Sequence, residues 1–307
     1  MRVAVTGSAG RLGRAVVTAL EEAPFTGPFG PIAWSRATFD LDAPDGVGAL
    51  LDRDRPEVVV HCAAWTDVDG CAREPELALR RNGAATGVLA QAAAARGIDL
   101  IVVSTNEVFD GRRTDGRGYA ADDVANPINP YGASKLAGES LAREAYATSA
   151  SAGPALGIAR TAWLYGPPGN DFPAKILAAA ERAAAAGELL RLVADEFGSP
   201  SYTVDIAEAI AELIGADGGG ATGGIHHLVN GGRASRAEWA RELLRQARVD
   251  VATEDVPAST WPRASTAPVW AVLEPTPLPG GEPLRPWQAA LADYLPTLVR
   301  QRATVAR

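Results

Sequence analysis

The chain is 307 residues long, 47% hydrophobic and 21% charged, a composition that supports a sizeable core and excludes a disordered protein. The length is about twice the common domain size, so two lobes or one large α/β unit are expected. With 29 Lys and Arg against 37 Asp and Glu the formal charge is −8, which argues against nucleic acid or an anionic membrane as partner.

Short apolar runs predict strands at Val3–Thr6, Ile32–Trp34, Val58–His61, Leu100–Ser104 and Leu156–Arg160. Several lack in/out alternation, as expected of strands covered on both faces. Helical patterns fall between them, at Arg11–Glu22, Val47–Asp52, Glu74–Arg96 and Tyr131–Thr148. Strand and helix in repetition predict a Rossmann-like, doubly wound parallel sheet over residues 1–160, the size of a dinucleotide-binding domain.

From residue 161 to 307 the rhythm loosens, and a smaller substrate-binding lobe is expected, parts of it returning to the first domain. Pro167-Pro168-Gly169 breaks the chain before a helix near Phe172–Gly187, whose Ala-rich Leu177–Ala186 stretch is a good helix former. A helix near Val204–Ile214 runs into Gly218-Gly219-Gly220, read as a loop. An Ile225–Val229 strand, an Arg236–Ala247 helix, Pro-rich connections and a last helix around Trp287–Val299 complete the chain.

Gly7, Gly10 and Gly13 stand between the first strand and the first helix in a G-x-x-G-x-x-G pattern, one residue longer than the usual dinucleotide fingerprint. Glycines there let the backbone approach a pyrophosphate placed at the positive end of the helix. The second strand ends in Ala33-Trp34-Ser35-Arg36 with no acid before Asp40. Ser35 and Arg36 can accept a 2′-phosphate, so NADPH is expected, with NADH as the alternative.

Tyr131 and Lys135 form a Y-x-x-x-K pair on one helix face, placing an ammonium beside a phenol. A phenol titrates near about 10 when unperturbed, and a neighbouring cation is expected to draw it toward neutrality. Ser104-Thr105 closes a strand, where a hydroxyl points into the crevice that binds ligands in such sheets. The chain order is glycine loop, hydroxyl, then Tyr and Lys. It points to acid/base chemistry at a carbonyl beside a nicotinamide.

Cys62 and Cys71 cannot frame a disulfide scaffold for a chain of this size, and reduced thiols are expected. With His61, His226 and His227 they make no zinc-ligand spacing, so no metal site is expected. The first apolar run begins at once, leaving no room for a signal peptide, and no run nears the roughly 20 residues of a membrane span. A cytoplasmic protein is expected.

In this order Gly7/Gly10/Gly13, Thr105, Tyr131 and Lys135 resemble the extended short-chain dehydrogenases/reductases, and more narrowly the dTDP-4-dehydrorhamnose reductase family. The segments 62–69, 104–111, 130–139, 160–166 and 195–200 match in place, and the resemblance runs from residue 1 to about residue 240, then faintly to Trp287. It implies an NAD(P)H-dependent reductase of the 4-keto group of a nucleotide-linked deoxysugar, as in dTDP-L-rhamnose formation. The oligomeric state is left open between monomer and homodimer. Gly7, Gly10, Arg11, Leu12 and Gly13 would cradle the pyrophosphate, Asp40 and Leu41 would lie near the adenine, and Cys62, Ala63 and Ala64 would line ribose and nicotinamide. Thr105, Tyr131 and Lys135 would be catalytic, with Tyr131 and Lys135 also touching the cofactor. Val68, Glu107 and Trp163 would face the sugar.

The chain departs from that family in carrying Asn106-Glu107 for Asp-Tyr, Trp65 for Tyr, and Ala267-Pro268 for Arg-Pro, with Arg263 the nearby cation. Epimerase or dehydratase chemistry is the enzymatic alternative, although a 4,6-dehydratase would want an acid pair after Thr105. A non-catalytic, cofactor-binding regulatory subunit is the other, although such relatives tend to lose the Tyr or the Lys.

Overall fold

The first half of the chain builds a sheet from its centre outward. In the computed structural model, which describes residues 1–147, 153–215 and 220–305, strands β1 (Val3–Thr6), β2 (Ile32–Trp34), β3 (Val58–His61), β4 (Asp99–Thr105) and β5 (Leu156–Thr161) alternate with helices. These are α1 (Arg11–Glu22), α2 (Val47–Asp54), α3 (Val68–Arg73), α4 (Pro75–Ala78), α5 (Ala85–Ala94) and α6 (Pro130–Ala147). The second half adds β6 (Leu164–Tyr165), α7 (Phe172–Ala186), β7 (Leu190–Val193), β8 (Phe197–Gly198), β9 (Ser201–Tyr202) and α8 (Thr203–Gly215). It ends with β10 (Gly224–His227), β11 (Ala234–Ser235), α9 (Arg236–Ala247), β12 (Thr253–Val256) and α10 (Trp287–Val305).

The central sheet is parallel and six-stranded, in the order β10-β5-β4-β3-β1-β2. Successive residues of one strand serve opposite layers. Val3, Val5, Val58 and Val60 pack with Leu12, Val16 and Leu20 of α1 and with Ile206 and Ile210 of α8. Ala4, Val59, Leu100 and Val102 pack with Leu51, Leu89, Ala93 and Ala142 on the other face. Burial of both faces explains why these runs are apolar throughout, and each fully buried Val or Leu contributes roughly 1.5–3 kcal/mol. A separate cluster, centred on Tyr165, Trp239, Leu243, Leu291 and Tyr294, joins α7, α9 and α10. The expected strands and the helices α1 and α9 lie where the sequence places them, and Gly218 and Gly219 of the expected loop fall outside the described residues.

The sequence reads Glu74–Arg96 as one helix, but the structure breaks it. Helix α4 gives way to a π-helical turn over Leu79–Ala84 before α5 begins, and α3 precedes it, capped by Asp67 accepting from Gly70 N–H at 2.9 Å. The wider turn turns Asn82 inward. Its Nδ2 donates to Trp65 O and Ser134 Oγ, both at 3.0 Å, and its Oδ1 accepts Trp65 N–H at 2.8 Å. Periodicity alone does not register the one-residue shift that a π turn inserts. Helix α10 also runs past the expected Val299, carrying Pro296 inside it. The short strands β6 to β9, β11 and β12 carry too few residues for a periodic signal.

Candidate active site

Strand order reverses around β1, which has β2 on one side and β3 on the other, so the loops after β1 and β3 diverge and leave a crevice. Gly7 lies there at φ +62°, and a Cβ on it would come within 2.8 Å of Ala63. A Cβ on Gly13 would overlap Gly7 O, so both positions accept only glycine without rearrangement. Helix α1 starts at Gly10 with no side-chain cap and no acid in its first turn. Its free N–H groups and positive end face the crevice, a donor set suited to a pyrophosphate.

A cavity of about 440 Å³ occupies this crevice. It is lined by Gly7, Gly10, Arg11, Leu12 and Gly13 after β1, by Cys62, Ala64 and Val68 after β3, by Thr105 and Glu107 after β4, by Tyr131 and Lys135 of α6, and by Trp163. Ala63 is not in this lining; its N–H is donated to Thr6 Oγ1 at 3.1 Å. Ser35, Arg36, Asp40 and Leu41 lie apart from it, beyond β2. The Arg36 side chain is 76% exposed and pairs with Asp40 at 3.6 Å and Asp42 at 3.2 Å, where Arg81 also binds at 2.6 Å. The guanidinium of Arg11 reaches away from the glycine loop to the carbonyls of Gly166, Gly169 (2.8 Å) and Asn170 (3.2 Å) and to Asp171 (3.4 Å).

Thr105 ends β4, and its Oγ1 accepts Glu107 N–H and donates to Asn106 Oδ1, both at 3.2 Å. Asn106–Val108 is therefore a tight 3-10 turn, where an extended segment would put Glu107 and Thr105 on one face by alternation. The turn nevertheless brings both side chains to the cavity. Asn106 also borders the cavity, with its Nδ2 donated to Ala271 O at 3.0 Å. Asn129 precedes α6 and accepts Gly132 N–H at 2.8 Å, which caps the helix that carries Tyr131 and Lys135.

Tyr131 lies within hydrogen-bonding reach of Thr105. Burial, and then the negative charge of Glu107, push its phenol well above the usual value, against the opposing hydrogen bond from Thr105. The expectation that Lys135 lowers it is corrected here: Lys135 is not among the groups that move it, desolvation dominates, and Tyr131 is a neutral phenol at physiological pH. Lys135 is only 4% exposed, and burial brings its ammonium down to about 8, opposed by Glu139 and Cys62. Burial and the Asn129 hydrogen bond act oppositely on Glu107, and the net result raises its carboxyl. Burial pushes the Cys62 thiol up to about 12, and the two cysteines are not joined to each other. Among the described residues no group of three or more His, Cys, Asp and Glu could hold a metal.

The far wall comes from the later part of the chain. Trp163 stacks on Trp239 at 5.8 Å, and the Arg236 guanidinium sits 3.6 Å from its ring centroid. Glu196 binds Arg263 and pairs with Arg236 at 3.8 Å. These residues, with Lys175, Arg191 and Trp261, line an adjoining cavity of about 430 Å³. Sequence reasoning missed Arg236 and Glu196, whose contacts span dozens of residues and leave no local pattern. It also missed Asn129, for which Asn-Pro ahead of a helix was a readable cap signal.

Residues 1–300 match the model of the RmlD substrate binding domain family. The chain is 36% identical over 300 residues to the dTDP-4-dehydrorhamnose reductase of Streptomyces griseus, covering 96% of this chain and 93% of that one. It is 34% identical over 301 residues to the dTDP-4-keto-6-deoxy-D-glucose reductase of Streptomyces niveus, covering 96% of each. Among solved structures it resembles the dTDP-4-dehydrorhamnose reductase of Bacillus anthracis in complex with NADP, at a TM-score of 0.83 and 30% identity over 96% of this chain and 99% of that one.

Proposed function

This chain belongs to the RmlD substrate binding domain family, and from that premise we propose that it is an NADPH-dependent reductase of the 4-keto group of a dTDP-linked deoxysugar, of the dTDP-4-dehydrorhamnose reductase type. The observation that carries this reading is the meeting of Thr105, Tyr131 and Lys135 with the glycine loop in one cavity at the point where strand order reverses. The uncapped start of α1 and the glycine cradle fit a dinucleotide pyrophosphate, and a reduced nicotinamide bound there supplies the hydride.

Tyr131, kept neutral by burial, is ready to give its proton to the ketone oxygen as negative charge develops there. Thr105, once its hydroxyl turns from Asn106 Oδ1, offers that oxygen a second hydrogen bond, and Lys135 supplies a buried positive charge that holds the cofactor ribose and steadies the phenolate left on Tyr131. Trp163 provides an apolar wall for the sugar ring. Arg236, Arg263, Lys175 and Arg191 in the adjoining cavity offer cations for the diphosphate of the sugar nucleotide. Only one carboxylate follows Thr105, because Asn106 is an amide committed to Ala271 O, which disfavours the dehydratase alternative.

The test is to mix the protein with NADPH and a panel of dTDP-4-keto-sugars and follow the nicotinamide absorbance. Sugar-dependent loss of absorbance is expected. A protein that binds NADPH yet oxidises it with no member of the panel would overturn the reading.

A further inference from the structure

Glu139 is a fully buried carboxylate on α6, one turn beyond Lys135, and the cavity does not include it. Both of its oxygens are engaged. Oε1 accepts from Ser104 Oγ at 2.6 Å and from Arg160 Nε at 3.0 Å, and Oε2 accepts from Arg160 Nη2 at 2.8 Å. Arg160 is itself only 2% exposed and lies 5.2 Å from the centroid of the Phe109 ring. Ser104 and Arg160 are register partners on β4 and β5; Ser104 lies in the β4 segment that lines the cavity, and Arg160 stands one residue before the β5 segment that does, at Thr161 to Trp163. Glu139 thus ties α6 and β4, which carry Tyr131, Lys135 and Thr105, to β5.

Tight anchoring does not by itself require charge, since an apolar cluster often packs as well as a buried ion pair. The charge has another recipient. The groups around Lys135 are His61 and Cys62 from β3 and its loop, Tyr131 and Glu139 from α6, and, behind Glu139, Arg160 from β5. His61 is held neutral, with its pKa down to about 3, and Cys62 and Tyr131 are protonated at neutral pH. Among these, Glu139 is the group that brings negative charge near Lys135 at neutral pH. Building on the reductase reading above, we propose that Glu139 is a positioning residue: pinned by Ser104 and Arg160, it fixes α6 against β4 and β5 and supplies the negative charge that keeps the Lys135 ammonium protonated for cofactor binding.

The experiment measures NADPH affinity of the full-length protein, by nicotinamide fluorescence, from about pH 6 to about pH 9. In the wild type, affinity falls as pH rises through about 8, where Lys135 loses its proton. Glu139→Gln keeps the shape of the side chain, removes the charge and leaves Arg160 unpaired. Its fall in affinity is expected to move toward acid by about one pH unit, so that binding at about pH 7.5 drops roughly threefold or more. Because an unpaired buried Arg can cost folding, Glu139→Gln/Arg160→Met is measured beside it. This double variant is expected to recover melting temperature while the pH limb stays acid-shifted. A limb at the wild-type pH in the folded variants would overturn the proposal and leave Glu139 as packing. Failure of the wild type to bind NADPH would instead sink the reductase reading.

Discussion

Asn129 holds Glu107: Nδ2 of Asn129 donates to Glu107 Oε2 at 2.7 Å and to Thr266 O at 2.9 Å, while its Oδ1 caps α6. One amide therefore sets the start of the helix bearing Tyr131, the pose of the pocket carboxylate, and the approach of the segment around Thr266. Asn129→Ala removes the cap and strands Glu107 without its donor. A loss of about 1–2 kcal/mol in urea unfolding is expected. Unchanged stability would show that water replaces the amide.

Tyr131→Phe deletes the proton donor and leaves the cavity shape. Turnover is expected to fall by about 10²–10⁴-fold with little change in NADPH affinity. Lys135→Met should lower both. Near-normal turnover in the Phe variant would move the proton donor elsewhere.

Arg36 is already paired with Asp40 and Asp42, so a 2′-phosphate must compete with two carboxylates for it. If it wins, Arg36→Ala weakens NADPH by roughly tenfold or more and hardly touches NADH, as expected for one charged hydrogen bond. Equal effects on both cofactors would leave Arg36 as a solvent-facing ion pair.

Glu107 lines the cavity, and its role as an acceptor for a sugar hydroxyl or amino group is open to test by substitution. Glu107→Gln and Glu107→Tyr, compared on dTDP-4-dehydrorhamnose and on amino- or deoxy-sugar analogues, should both lose activity selectively on the sugar that makes the contact. Identical substrate profiles in all three proteins would remove Glu107 from recognition.

Two buried histidines make stability depend on acidity. Burial brings His61 down to about 3 and His227 to about 4, from an ordinary value of 6.5. Their unfolded forms take up protons that the folded forms refuse. Stability is therefore complete above about pH 6.5 and is lost as pH falls toward the folded values, by roughly 2 kcal/mol per histidine at about pH 5. The His227 ring packs edge-on against Phe109 and has at most weak contacts to the main chain of Tyr119 and Glu274, so His227→Leu should cost little at neutral pH. Its denaturation midpoint should fall less between about pH 7 and about pH 5 than that of the wild type. Equal acid sensitivity would show that His227 does not report on this pH range.

Legibility in the sequence followed the range of the interactions. Val3–Thr6 and Val58–His61 declared themselves because every residue of each is buried, and the glycines and the Tyr131–Lys135 spacing are features within one turn. The titration of Tyr131 was misread because i,i+4 logic counts the cation and not the water removed around the phenol. The break at Leu79–Ala84 was hidden because its cause is Asn82 reaching Trp65 and Ser134, residues far away in the chain. Arg236 over Trp163 joins positions more than seventy apart, and no window on the sequence contains both.

The grip of Arg11 on the segment 166–171 falls mostly on main-chain oxygens, those of Gly166, Gly169 and Asn170. A carbonyl is the same whatever side chain its residue bears, so this hold tolerates drift in the segment it grasps provided the backbone path survives. Asp171 is the exception. Its carboxylate meets Arg11, accepts Gly166 N–H at 2.9 Å and accepts Ala174 N–H at 3.0 Å at the head of α7. The hold itself asks nothing of those side chains, but the backbone path does: Gly166 lies at φ +142°, where a Cβ would run into Thr203 Oγ1, and residue 171 carries three obligations at once.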